Sequence, residues 1–128
     1  MKYLAAKDGN FVHMNNVLGP EIVGRVQIVN KRILKWRPDH TVEDDQPCHQ
    51  EFLIPLGYTL AYDLNVETNG TLYRFTLNQG AIEKALRPYL NSLLAAHVRI
   101  EDVVTRICAT IGPYGNTLLS FSAVKNSQ

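Results

Sequence analysis

The stretch Glu21–Arg37, "EIVGRVQIVNKRILKWR", decides how the rest of the chain is read. Its even positions are Ile22, Gly24, Val26, Ile28, Asn30, Arg32, Leu34 and Trp36. Its odd positions are Val23, Arg25, Gln27, Val29, Lys31, Ile33, Lys35 and Arg37. The even row is apolar at both ends, and the odd row carries most of the charge. Alternation with a period of two belongs to a strand. A hairpin turning at Asn30-Lys31 is an alternative, but Asn-Lys is a weaker turn pair than Asn-Gly. One long strand, or two runs joined by a bulge, is the favoured reading. A helix would also collect apolar residues 22, 26, 29 and 33. The β-branched content and the charged odd row count against it.

Outward from this stretch, "KYLAAKDGNFVHM" places Asp8-Gly9-Asn10 between two short runs, a hairpin signature. "NNVLGP" reads as a loop and "PDHTVEDDQPCHQ" as a polar, acidic loop. Strand character resumes in "EFLIPLGYTLAYDLN", with Phe52, Ile54, Leu56, Tyr58, Leu60, Tyr62 and Leu64 on one face. Pro55 marks a bulge or an edge there. "VETNG" turns the chain, and "TLYRFTL" is the last strong strand. The period then changes. Ile82, Leu86, Tyr89 or Leu90, Leu93 and Leu94 form one helical stripe, with Pro88 implying a kink or a late start. Ile100, Val103, Val104, Ile107 and Ile111 suggest a second helix, stopped by Gly112-Pro113. The order is α+β: an N-terminal hairpin and antiparallel sheet over about 1–77, then two C-terminal helices over about 79–112. Residues 113–128 read as an extension, a short strand or an arm. A sheet of this kind has one apolar face that helices cover, from the same chain or a partner's.

The 128 residues suit one domain, and 45 % are hydrophobic. The net charge of +1 argues against a generally basic nucleic-acid binder but leaves room for a local basic face. Cys48 and Cys108 are too few for a disulfide scaffold. Cys108 reads as a buried small hydrophobe and Cys48 as a residue of a polar loop. No apolar run is long enough to span a membrane, and the start lacks the apolar core of a signal peptide. A soluble, cytoplasmic protein is the expectation.

The clustered His40, Asp44, Asp45, Cys48, His49 and Glu51 match no zinc spacing, and a solvated loop is the better reading. There is no nucleophile elbow, phosphate loop or zincin motif, so no enzyme, cofactor or metal is expected. A helix-turn-helix reader fits poorly with the mixed charges Glu83, Lys84, Arg87, Glu101, Asp102 and Arg106. The odd row of the long strand remains. It is either a solvated sheet face or a nucleic-acid contact, where cations meet phosphates and amides meet splayed bases.

"LGPEIVGRVQI", residues 18–28, resembles the start of a central strand in the coat proteins of single-stranded RNA bacteriophages, the levivirus-type coats. "ALRPYLNSLLAAHVRIEDVV", residues 85–104, resembles their two C-terminal helices, and the hairpin around "AKDGNF" suits the same family. The element order and the length agree as well. The resemblance implies an intertwined homodimer with a continuous sheet, each chain's helices packing on the partner's sheet. It implies dimers that build a small icosahedral virion shell in the cytoplasm of a bacterial host. It also implies an inner sheet face that binds genomic RNA and grips an RNA hairpin as packaging signal and translational repressor. On that face the expected RNA-binding residues are Arg25, Gln27, Lys31, Lys35, Arg37, Thr59, Asn65 and Arg74. Val26, Ile28, Leu34 and Trp36 are expected under the helices. Cys48 is a candidate for disulfides between subunits, as loop cysteines are in some members. The alternative is a small cellular single-strand nucleic-acid-binding dimer with a sheet platform, which favours exposed aromatics on its binding face.

Overall fold

A computed structural model describes residues 1–124. Nine strands form one sheet: β1 (Lys2–Lys7), β2 (Asn10–His13), β3 (Asn16–Gly19), β4 (Glu21–Trp36), β5 (Val42–Pro47), β6 (Tyr58–Thr68), β7 (Thr71–Leu77), β8 (Val104–Ile111) and β9 (Thr117–Ala123). The order across the sheet is β3-β2-β1-β7-β6-β4-β8-β9, with β5 also pairing β4. All neighbours are antiparallel except β1 and β7. β4 is the organising strand. One of its edges carries β6, and the other is shared between β8 at Glu21–Arg25 and β5 at Arg32–Trp36.

Local sequence sets the turns. Asp8 and Gly9 both adopt positive φ, as a two-residue hairpin of this hand requires, and Asn69-Gly70 does the same between β6 and β7. At Gly24 a Cβ would lie 2.0 Å from the Glu67 carbonyl oxygen, so only glycine lets β4 pass the end of β6.

One helical segment follows β7, over residues 79–95. Its first turn is capped by the Asn78 side chain, which accepts from the Ala81 N–H at 2.9 Å. Ile82–Leu86 then widens into a π-helical turn before α-helix resumes at Arg87–Ala95. Pro88 lies just past the wide turn. Proline lacks an N–H and its ring crowds the carbonyl four residues back, so it fits where the tighter bonding is already broken. The helix ends with His97 at positive φ, and the Val98 N–H returns to the Leu93 carbonyl at 2.9 Å. The sheet curls around this helix. Ile82, Leu86, Tyr89 and Leu93 pack with Leu4, Phe11, Val26, Leu64, Phe75 and Ile107 in one core. The curl brings the first hairpin to the β8–β9 loop, where the Gly9 N–H donates to Thr117 Oγ1 at 3.2 Å.

The second expected helix is instead a strand. Residues 100–102 make only a 3-10 turn, and β8 begins at Val104. The apolar residues at 100, 103, 104, 107 and 111 do fit helical spacing. But Val103, Val104, Thr105, Ile107, Thr110 and Ile111 are all β-branched, and the fully buried positions, Thr105, Ile107 and Ala109, alternate with period two. β9 continues the sheet, so "TLYRFTL" is not the last strand and most of 113–124 is sheet. Val42–Pro47 is also a strand rather than a loop, its acidic side chains set beside cations of β4. Asn16–Gly19, read as loop, pairs with β2. In the other direction, residues 51–57 are not strand. Glu51–Leu53 is a 3-10 turn, and Phe52, Leu53 and Leu56 are exposed. Pro55, and Gly57 at positive φ, hold that segment out of the sheet until Tyr58.

The helix covers the sheet of its own chain. No helix among the described residues is long and apolar enough to cross a membrane.

Candidate nucleic-acid interface

β4 pairs without interruption from Arg25↔Glu67 to Ile28↔Leu64, then resumes at Asn30↔Asp63. Val29 is the extra residue of a bulge, and it inverts the sidedness of everything after it. Before Val29 the even residues Ile22, Val26 and Ile28 face the helix. After it, Lys31 pairs with Tyr62, Ile33 with Leu60 and Lys35 with Tyr58, so the odd residues face that side. The opposite, open face therefore carries Arg25 and Gln27, then Asn30, Arg32, Leu34 and Trp36.

This divides the expected site. Arg25, Gln27, Thr59, Asn65 and Arg74 share the open face. Gln27, Asn65 and Arg74 lie directly across β4, β6 and β7 from one another, and Tyr3 of β1 extends the row. Arg74 Nε donates to Asn65 Oδ1 at 2.9 Å. Arg25 Nη1 donates to the Glu101 carbonyl at 3.3 Å. Neither arginine joins an ion pair among the described residues. Thr59 Oγ1 accepts from Trp36 Nε1 at 3.1 Å.

Lys31, Lys35 and Arg37 do not join them. Lys31 Nζ sits 5.0 Å from the Tyr62 ring centroid on the helix side. Lys35 on the same side pairs with Glu43 at 3.1 Å. Arg37 lies beyond the end of β4, where its Nη1 donates to the Val42 carbonyl at 2.7 Å and fastens the turn into β5. Leu34 and Trp36, expected beneath the helices, are on the open face. Leu34 and Ala61 are buried yet lie outside the core cluster.

At the centre of the open face is a group the alternation in sequence did not disclose. Asp63 is 5 % exposed. It accepts from Thr76 at 2.7 Å, Arg32 at 3.0 Å and Asn30 at 3.2 Å. Burial alone pushes this carboxyl up, but those hydrogen bonds and the Arg32 charge outweigh it and hold Asp63 below the usual carboxylate range. Arg32 also pairs with Asp45 at 2.7 Å, and its own pKa is raised: burial works against the charge, and the two carboxylates prevail. Its Nε is buried without a partner among the described residues. The signal was present in the apolar doublets Ile28-Val29 and Ile33-Leu34, which no single alternation accommodates.

Among the described residues, no three His, Cys, Asp or Glu side chains converge as metal ligands. In the 40–51 segment Asp44 accepts from Tyr58 and Gln46, Asp45 holds Arg32, and Glu51 accepts from Tyr62. The Tyr58 hydrogen bond draws the half-buried Asp44 carboxyl down and raises the Tyr58 hydroxyl. Cys48 is half-buried against the core, and Cys108 stands in β8 rather than in a helix. No protein-family model, curated protein or solved structure matches the chain.

Proposed function

We propose that the chain is the subunit of a self-assembling virion shell that encloses single-stranded RNA, as its resemblance to the single-stranded RNA bacteriophage coats implies. The observation that carries this reading is the open sheet face. There Arg25 and Arg74 flank Gln27 and Asn65 across three adjacent strands. Two cations that join no ion pair among the described residues contact phosphates, and two amides and Thr59 read unpaired bases, including those of an RNA hairpin that marks the genome and represses translation. The near-neutral net charge suits a protein of which many copies share one RNA. Exposed apolar side chains elsewhere, Phe52, Leu53 and Leu56 above all, suit contacts between copies. Because the helix already covers its own sheet, the copies join without exchanging it.

Negative-stain microscopy of the purified protein, with the ultraviolet absorbance ratio of the same fraction, tests this. Uniform spherical particles rich in nucleic acid are expected. A small oligomer without particles removes the shell reading.

A second reading is favoured by one observation. The bulge places Trp36, 48 % exposed, on the open face, and Tyr3, 67 % exposed, ends the Gln27–Asn65–Arg74 row. Exposed aromatics on a polar sheet are what a cellular single-strand nucleic-acid-binding dimer uses to stack bases. That protein binds RNA and stays a small oligomer.

A further inference from the structure

We infer that the free edge of β9 is a self-association surface, and that its occupant is β9 of a second copy, paired antiparallel about a two-fold axis. The inference deepens the self-assembly half of the proposed function and stands if the RNA half fails.

Among the described strands, three have an edge without a partner, and they differ. β5 presents Glu43, Asp44 and Asp45, so a second β5 beside it is repelled. β3 has four residues and stops before Pro20. β9 has seven, "TLLSFSA", with no charge and no proline. Such an edge is a template for another strand.

The backbone phase says which groups are free. The Val124 N–H donates to the Val104 carbonyl at 2.9 Å and the Gly112 N–H to the Asn116 carbonyl at 2.6 Å. Alternation in an antiparallel ladder then points the backbone of Ser120 and Ser122 toward β8 and that of Leu119, Phe121 and Ala123 outward. Along this outward edge runs an apolar groove, closed on its other side by Pro88, Tyr89 and Ser92 of the helix. Lys84 is the one charged residue among the described residues that line it.

The strand is complementary to itself. A two-fold through Phe121 sets each copy's Leu119 opposite the other's Ala123, large against small. It sets Ser120 opposite Ser122, where hydroxyls meet. The contact is isologous and closes at two copies, leaving other surfaces for further assembly.

The test begins with nuclease-treated wild-type protein in high salt, where sedimentation velocity should show a dimer. Ser120→Lys/Ser122→Lys places like charges opposite one another and should weaken the dimer by about tenfold or more. Ser120→Glu/Ser122→Glu should do the same, and an equal mixture of the two variants should restore it. A wild-type monomer, or a Lys variant as dimeric as wild type, overturns the inference. Amide exchange needs no variant and also reads intact shells. The N–H groups of Leu119, Phe121 and Ala123 should be protected in the assembled protein, and fast exchange there overturns the inference even if the charged variants misfold. A β9 dimer that forms no particle and binds no RNA removes the shell reading and leaves this one standing.

Discussion

Upstream of Val29, β4 turns its even-numbered residues toward the helix; downstream it turns its odd-numbered ones. The two halves look alike in sequence, each an alternation of apolar and polar groups. In the first half the open face receives Arg25 and Gln27, and Arg25, though it lies across from Glu67, joins no ion pair among the described residues. In the second it receives Arg32, clamped between Asp63 and Asp45. One half of the strand therefore has a cation to offer a ligand, and the other has spent its cation on holding the sheet together. A count of charges along the strand does not separate these roles. The bulge does.

The most severe way to break the contrast is to insert one alanine into β6 between Asp63 and Leu64, opposite Val29. Val29 would then have a partner, and pairing would run without a bulge. Beyond it Arg32 and Leu34 would turn inward, and Ile33, 7 % exposed, would turn out. Loss of a buried isoleucine alone costs about 2–5 kcal/mol, and an inward arginine adds to it. No cooperative urea transition is expected. A cooperative transition at the wild-type midpoint would mean the bulge does not set the sidedness.

Next in size is Asp63→Ala, which leaves Arg32 half-buried beside an empty acceptor. Breaking a buried pair from one side costs about 3–5 kcal/mol. Asp45 still holds Arg32, so the lower end is expected in chemical denaturation. A loss below about 1 kcal/mol would show that solvent already screens the pair.

The contrast bears on RNA through a pair of double variants. Arg25→Ala/Arg74→Ala should weaken single-strand binding about tenfold and flatten the slope of log affinity against log salt by about 1.4, at about 0.7 per lost phosphate contact. Lys31→Ala/Lys35→Ala should change both little, because those side chains face the helix side. The opposite ranking would return the interface to the odd row.

The smallest effect is in acid. The folded pKa of Asp63 is depressed, so its contribution is present above the ordinary unfolded value of about 3.9 and is lost as pH falls through the folded value. Thermal midpoints taken downward from about pH 5 should drop less steeply in Asp63→Asn than in wild type. Equal slopes would assign the acid loss to other carboxyls, Asp39 and Asp44 among them, whose pKa values are also lowered.

What was legible in the sequence follows from these forces. Turn chemistry at Asp8-Gly9 and Asn69-Gly70 marked both hairpins, because positive φ leaves few residue choices. The length of β4, and the bulge as one of its two forms, came from its period. The helix at 79–95 came from its stripe. The strand at 104–111 was misread, since Ile100, Val103, Val104, Ile107 and Ile111 fit a helical stripe, while the row that burial selects, Thr105, Ile107 and Ala109, holds only one large apolar residue. β5 was hidden because acidic residues rarely make strands; here Lys35 and Arg32 across the ladder stabilise them. Of the expected contact residues, those before the bulge and those on β6 and β7 keep their face, Lys31 and Lys35 after it change sides, and Arg37 lies past the end of the strand.

The bond from Gly9 to Thr117 spans 108 positions of chain. The first hairpin thus cannot reach its final seat until residue 117 has left the ribosome, and a fold closed by such remote pairings forms slowly. In chain order β9 follows every other described strand. While a chain is being made its uncharged edge does not yet exist, so growing chains crowded on one message have no such strand to exchange with their neighbours. The surface most apt to join copies is therefore displayed only once the rest of the sheet has been synthesised.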